Sequence, residues 1–237
     1  MKQFKALYSL ILRSIATRGR LAALGALGVL GMVVGAAIGA KTVRDGAQFV
    51  NLFGLTVTVP LTTLVFASAA LGDIIDDGTM VYLWLRPVPR FRIVAAAAAA
   101  TLTIVLPLVV LPLVIAAGLT GAGSKVVIGA ALSASFGVLA YTGVFVMLGV
   151  RVKRSLVWGL LYIFIWEGFV ANAGKTASRL AIRAYTRSIL SDIALPPPFQ
   201  PLRLATISPF YSYVIPVVVL IATIAYTTRR MQLQDVA

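Results

Sequence analysis

Glu167, in the run IFIWEGF, is the one acidic side chain deep inside an apolar segment of this chain. A carboxylate in hydrocarbon is costly, so it must face a partner or a watery cavity, or carry a proton. Two readings fit it: a proton or cation site, or a structural residue, either hydrogen-bonded in the packing or near the interface beside Trp166. Four cations follow. Lys175, Arg179, Arg183 and Arg187 recur every four residues and would form a single basic stripe on one helix. The stripe fits a surface helix anchored to phospholipid head groups, or an outer vestibule that meets an anionic substrate.

Other chemistry is excluded by composition. The chain has no cysteine and no histidine, which removes disulfides, Cys/His metal sites and Cys or His nucleophiles. Gly174-Lys175-Thr176 superficially suggests a phosphate-binding loop, but the spacing from Gly168 is one residue too long for that motif. No strand signal precedes it, and GAGSK at 121–125 fails equally. The chain therefore carries no ATPase site, cofactor site or metal site of its own. Its net charge of +14 could suggest nucleic acid, yet the basic residues sit mostly at the ends of apolar runs, where anionic lipid meets them. No soluble module is left to bind nucleic acid.

The elements that must position these residues are membrane helices. Of 237 residues, 60% are hydrophobic and 12% charged, and the mean hydropathy is +0.98. An ordinary soluble domain is about 25% charged. A crossing helix needs about 20 apolar residues. Six runs meet or approach that length, at about 21–40, 49–72, 93–118, 126–150, 156–173 and 209–228, the fifth being the shortest and holding Glu167. Residues 1–20 are basic throughout and lack the apolar core and cleavage site of a signal peptide. They are expected to form an interfacial amphipathic helix, with Tyr8, Leu10, Ile11 and Ile15 toward lipid and Lys2, Lys5, Arg13 and Arg18 wet.

With the N-terminus inside, inner segments hold 13 of the 21 Lys and Arg residues and outer segments 8. This places both termini in the cytoplasm of a multi-pass plasma-membrane protein. The whole chain, 1–237, reads as a single all-α transmembrane domain: six crossing helices and a helical outer segment between spans 5 and 6. Gly31, Gly35 and Gly39 line one face of the first span, a groove for close helix packing within the chain or against a second copy. Pro60, Pro107, Pro112 and Pro216 lie inside spans, as kinks or as hinges.

The segment DIIDDGTMVYLWLRPVPRFR, 73–92, falls between the second and third spans with three of the seven acidic residues. Asp73, Asp76 and Asp77 are expected near the start of a short helix, where negative charge suits the dipole. Pro87 ends that helix near Arg86. Ile74, Val81, Tyr82 and Leu85 line one side of it, and Met80, Leu83 and Trp84 leave the other apolar too. Greasy on two sides, it calls for the membrane on one face and a partner on the other. A mere interfacial turn would explain the arginines alone.

DDGTMVYLWLRPVPRFRIV resembles the cytoplasmic hairpin of the ABC-2 type transporter permeases, at Asp77, Gly78, Thr79, Tyr82, Leu83, Arg86, Pro87, Arg90 and Ile93. The likeness extends to the N-terminal surface helix, the six spans, WEG at 166–168 and the basic C-terminal RRMQLQDVA. The resemblance implies the membrane subunit of an ATP-driven exporter, working as a homo- or heterodimer of permeases. A separate cytoplasmic ATP-binding cassette subunit, carrying ATP and Mg, would dock on this coupling helix through Asp73, Asp76, Asp77, Gly78, Thr79, Tyr82, Leu83, Trp84 and Arg86. It implies a re-entrant outer element after span five; the basic stripe there departs from the family pattern. Few internal charges in the spans fit a lipid, drug or lipopeptide substrate. Two other classes compete: a proton- or ion-coupled carrier using Glu167, and a membrane scaffold that transports nothing.

Overall fold

The computed structural model of the chain describes residues 2–40, 42–78, 89–169, 175–195 and 207–233, and these contain helices and no strand. Five helical stretches are long and apolar enough to cross a membrane. They are α2 (Arg18–Ile38), a continuous rod Val43–Asp76, α5 (Arg90–Leu119), α6 (Ser124–Arg151) and α10 (Pro209–Leu233). The rod consists of α3 (Val43–Phe49), a π-helical stretch Val50–Thr58 and α4 (Val59–Asp76). It begins earlier than the apolar run suggests because Thr42 and Asp45 form a capping box. The Asp45 N–H donates to Thr42 Oγ1 at 3.3 Å, and the Thr42 N–H donates to Asp45 Oδ2 at 3.1 Å.

The fifth expected span is different. Among the described residues, apolar helix runs from Ser155 to Phe169, as α7 (Ser155–Leu161) and a π-helical stretch Tyr162–Phe169; residues 170–174 lie outside the described residues. Beyond them come the single turn α8 (Lys175–Ser178) and the amphipathic α9 (Ile182–Ala194).

The rod and α6 form the centre. Two thirds of the rod's most apolar window is buried (67%) and 56% of that of α6, against 17% for α2 and for α10. α6 packs on α4, α5, α9 and α10. Its contact with α4 is backbone on backbone: a Cβ on Gly149 would sit 2.6 Å from the Ser68 carbonyl oxygen. At the periphery, α2 and α10 leave Val29, Leu30, Val33, Val218 and Ile221 exposed, as lipid-facing or subunit-facing helices do.

The glycine face of α2 turns inward to its own chain. A Cβ on Gly35 would lie 2.6 Å from Ala116 O on α5, and one on Gly31 would collide with the Phe53 ring. Gly39 does not share this role. It takes φ +49 as the left-handed C-cap of α2, in open space.

α1 (Lys2–Ile15) lies against α5 and α4. Ile11 and Ile15, expected toward lipid, are buried in the bundle, while Leu10 stays exposed. Tyr8 OH donates to Thr103 Oγ1 at 2.9 Å, and Arg92 Nη1 to Gln3 Oε1 at 3.1 Å. Bundle helices supplied an apolar surface nearer than lipid.

Gly149→Ala is expected to lower the thermal unfolding midpoint in detergent, with an overpacking cost of about 1–3 kcal/mol. Gly25→Ala, where a Cβ meets nothing within 4 Å, should leave the midpoint unchanged or raise it.

Candidate functional site

Two regions gather the residues singled out from the sequence. The first is the end of α4. Asp73 and Asp76 occupy its last turn, Asp77 is its C-cap, and Gly78 leaves it at φ +67. The acids thus close a long helix, and residues 79–88, where the short helix is expected, lie outside the described residues. Carboxylates at a helix C-terminus are disfavoured by about 0.3–1 kcal/mol each at exposed sites. Asp73 is compensated: Arg20 Nη2 donates to its Oδ2 at 2.8 Å. Arg20 is held by its place in the first turn of α2, where its N–H donates to Thr17 Oγ1 at 3.4 Å. One ion pair therefore ties the start of α2 to the end of α4, beside α1. Asp76 and Asp77 stay exposed and meet no cationic side chain among the described residues. Thr79, Tyr82, Leu83, Trp84 and Arg86 lie outside the described residues.

The second region is the break after α7. Glu167 is 3% exposed, and its carboxylate accepts three hydrogen bonds: Tyr162 OH at 3.2 Å, the Ile182 N–H at 3.1 Å and the Arg183 N–H at 3.2 Å. The last two are the first amide protons of α9. Tyr162 precedes Glu167 by five residues, the π-helical repeat, which brings its hydroxyl over the carboxylate. The buried Tyr141 of α6 lies alongside. Glu167 thus serves α9 as an N-cap does, from a distant part of the chain. Trp166 is half-buried and makes no part of this contact.

Packing contacts set the depth of the break. A Cβ on Gly159 of α7 would meet Leu64 of α4, one on Gly137 would lie 3.1 Å from Thr186 of α9, and one on Gly129 would lie 3.0 Å from Leu190. α9 therefore starts near Tyr141 and runs toward the first turns of α6. Tyr141 is ten residues from Arg151, about 15 Å at a 1.5 Å rise. That is close to half of a hydrocarbon layer about 30 Å thick.

The basic stripe does not form. The helix stops at Ser178 and restarts at Ile182, so Arg179, Arg183 and Arg187 diverge. Arg183 is 5% exposed, inside the bundle. Arg187 is half-buried and donates from Nη2 to Thr56 Oγ1 at 3.3 Å. Arg179 is exposed at the turn, and the side chain of Lys175 lies outside the described residues. Thr56 in turn donates to Asn51 O at 2.8 Å within the π-helical stretch. Sequence reasoning missed these buried bases because they follow the apolar run that marks a span. The alternation of Ile182, Ala184, Ile189 and Leu190 with polar residues is the signal that could have found them.

Chemically, the second region holds a carboxylate, two phenols and two guanidinium groups away from water. This is a polar joint between two half-length helices. Comparison with known protein families and with curated proteins finds no match to the chain.

Removing the cap should destabilise the joint. Glu167→Ala leaves two buried N–H donors unpaired, at about 1–3 kcal/mol each. Its thermal midpoint in detergent is expected to fall well below that of Glu167→Gln, whose amide oxygen still accepts. Equal losses would show that charge, and not hydrogen-bond acceptance, is what the site needs.

Proposed function

We propose that this chain is the membrane subunit of an ATP-binding cassette exporter for hydrophobic or amphipathic substrates. In this reading a separate ATPase docks at residues 73–92 and a second permease subunit completes the path. The carrying observation is the end of α4. Two of its carboxylates, Asp76 and Asp77, stand exposed with no cationic partner among the described residues, where the helix dipole disfavours them and directly before the apolar sequence 79–85. A cationic groove on a partner would offset that charge and cover the apolar side chains. The Arg20–Asp73 ion pair supports the same reading, because it joins this end of α4 to α2. A push on the hairpin then reaches two spans at once.

The fold accommodates alternating access. α7 with its π-helical extension, followed by α9, makes a sixth crossing in two halves, with both termini on the cytoplasmic side and α9 in the outer half. Broken helices are tolerated at membrane depth where protein satisfies the freed backbone, as Glu167 does here. A proton-coupled carrier is less well served, since the carboxylate is engaged by two backbone amides and a phenol. The exposed faces of α2 and α10 are available to lipid and to a second permease.

The test is co-purification with the ABC ATPase co-expressed beside it. Wild type should retain the ATPase. The double variant Asp77→Arg/Leu83→Asp should lose it by about tenfold or more, since like charge and an unpaired acid in an interface each cost several kcal/mol. The thermal midpoint of that variant should stay near wild type. If no ATPase associates with either protein, the exporter assignment falls.

A further inference from the structure

The turn between α8 and α9 places a cation at a cleft lined by no acid among the described residues. Arg179 borders two adjoining cavities of about 190 Å³ and about 300 Å³, which share Arg179, Tyr185 and Ile215. The smaller is walled by Ala140 of α6, Leu180 and Ile182, and by Pro216 and Val219 of α10. The larger opens past Ile207, Ser208 and Tyr211. Tyr185 OH donates to the Arg179 carbonyl at 2.6 Å and so fixes the turn. Arg179 is exposed, borders both cavities and forms no ion pair with a carboxylate among the described residues. Glu167, the nearest acid in sequence, is engaged by Tyr162 and the start of α9.

Depth makes this arrangement informative. Ala140 is eleven residues from Arg151 along α6, about 16 Å at a 1.5 Å rise, and so belongs to the middle of the bundle. An ionised side chain at membrane depth faces a partner or a watery cavity. Here the described walls are mostly apolar, with Tyr185, Ser208 and Tyr211 among them, and their one cation among the described residues is a guanidinium, whose planar fork matches a carboxylate or phosphate in two parallel hydrogen bonds.

We infer that the cleft between the α8–α9 turn and α10 binds a single-chain anionic amphiphile, its head group on Arg179 and its hydrocarbon chain along Ile215, Pro216 and Val219. The modest cavity sizes favour one chain over the two of a bilayer phospholipid. Naming this ligand as the transported substrate rests on the exporter reading. Binding does not, and it is measured without an ATPase.

The experiment is binding of tritiated palmitate to the purified full chain in neutral maltoside detergent, by scintillation proximity. Competitors are hexadecanol, phosphatidylglycerol and inorganic phosphate. Arg179→Gln is expected to weaken palmitate binding about tenfold or more, and Arg179→Lys by less, because Lys keeps the charge and one hydrogen bond but loses the paired fork. Ile215→Trp, which fills the cleft and leaves Arg179 intact, should also abolish binding. Arg229→Gln, at the opposite end of α10, should not change it. Hexadecanol should compete poorly. Three results would each overturn the inference: hexadecanol competing as well as palmitate, Arg229→Gln weakening binding as much as Arg179→Gln, or phosphatidylglycerol or phosphate displacing palmitate at equal concentration. Loss of palmitate binding in a protein that still retains its ATPase would reject the ligand and leave the exporter reading standing.

Discussion

An α-helix that begins inside an apolar bundle exposes amide protons that no water can reach. The carboxylate of Glu167 takes up two of these at Ile182 and Arg183. Much of the molecule's far half follows from that contact. It lets α9 start at the depth of Tyr141, which sets the register of Thr186 against Gly137 and Leu190 against Gly129. It also fixes the turn before α9, and with it the place of Arg179. The π-helical stretch Tyr162–Phe169 belongs to the same solution, because its wider repeat brings Tyr162 and Glu167 onto one side.

A second polar strand runs through the centre of the bundle. Arg187 reaches Thr56, and Thr56 reaches the Asn51 carbonyl. Thr58 donates in the same manner to Phe53 O at 2.9 Å. Each threonine bonds the carbonyl five residues back, which the π-helical ladder of Val50–Thr58 also uses. The two π-helical stretches, one in the rod and one after α7, thus stand on either side of the buried guanidinium groups. Pro60, which lacks an amide proton, falls just after the first of them, in the opening turn of α4.

The long apolar helices were legible from the sequence because a run of about 20 apolar residues has few other uses. Their ends were less so: the Thr42–Asp45 capping box lies upstream of the apolar run and lengthens the rod beyond it. Glu167 was conspicuous by type, but its partners were not. Its two amide partners sit 15 and 16 residues away, beyond any local periodicity. The stripe of cations from 175 to 187 misled for a related reason. No glycine or proline lies between Lys175 and Ala194 to announce the break at Arg179 and Leu180, so a continuous helix was the natural expectation. The three aspartates stand at the end of α4, a placement that the expectation of a short helix after them did not foresee. The side chain that compensates one of them, Arg20, is 53 residues distant.

The setting of α1 bears on how the chain is made. Its buried face is received by α5, through Tyr8 and Thr103, 95 positions apart, and Gln3 and Arg92, 89 positions apart. During synthesis, then, α1 is complete long before its receptor exists. At about 5–20 residues per second the gap lasts roughly 5–20 s. Throughout that interval Ile11 and Ile15 need another apolar surface, and the membrane interface supplies one. The amphipathic pattern thus serves the nascent chain first and the finished bundle afterwards. Docking of α1 becomes a late step in assembly, completed only once the third long apolar helix has entered the membrane.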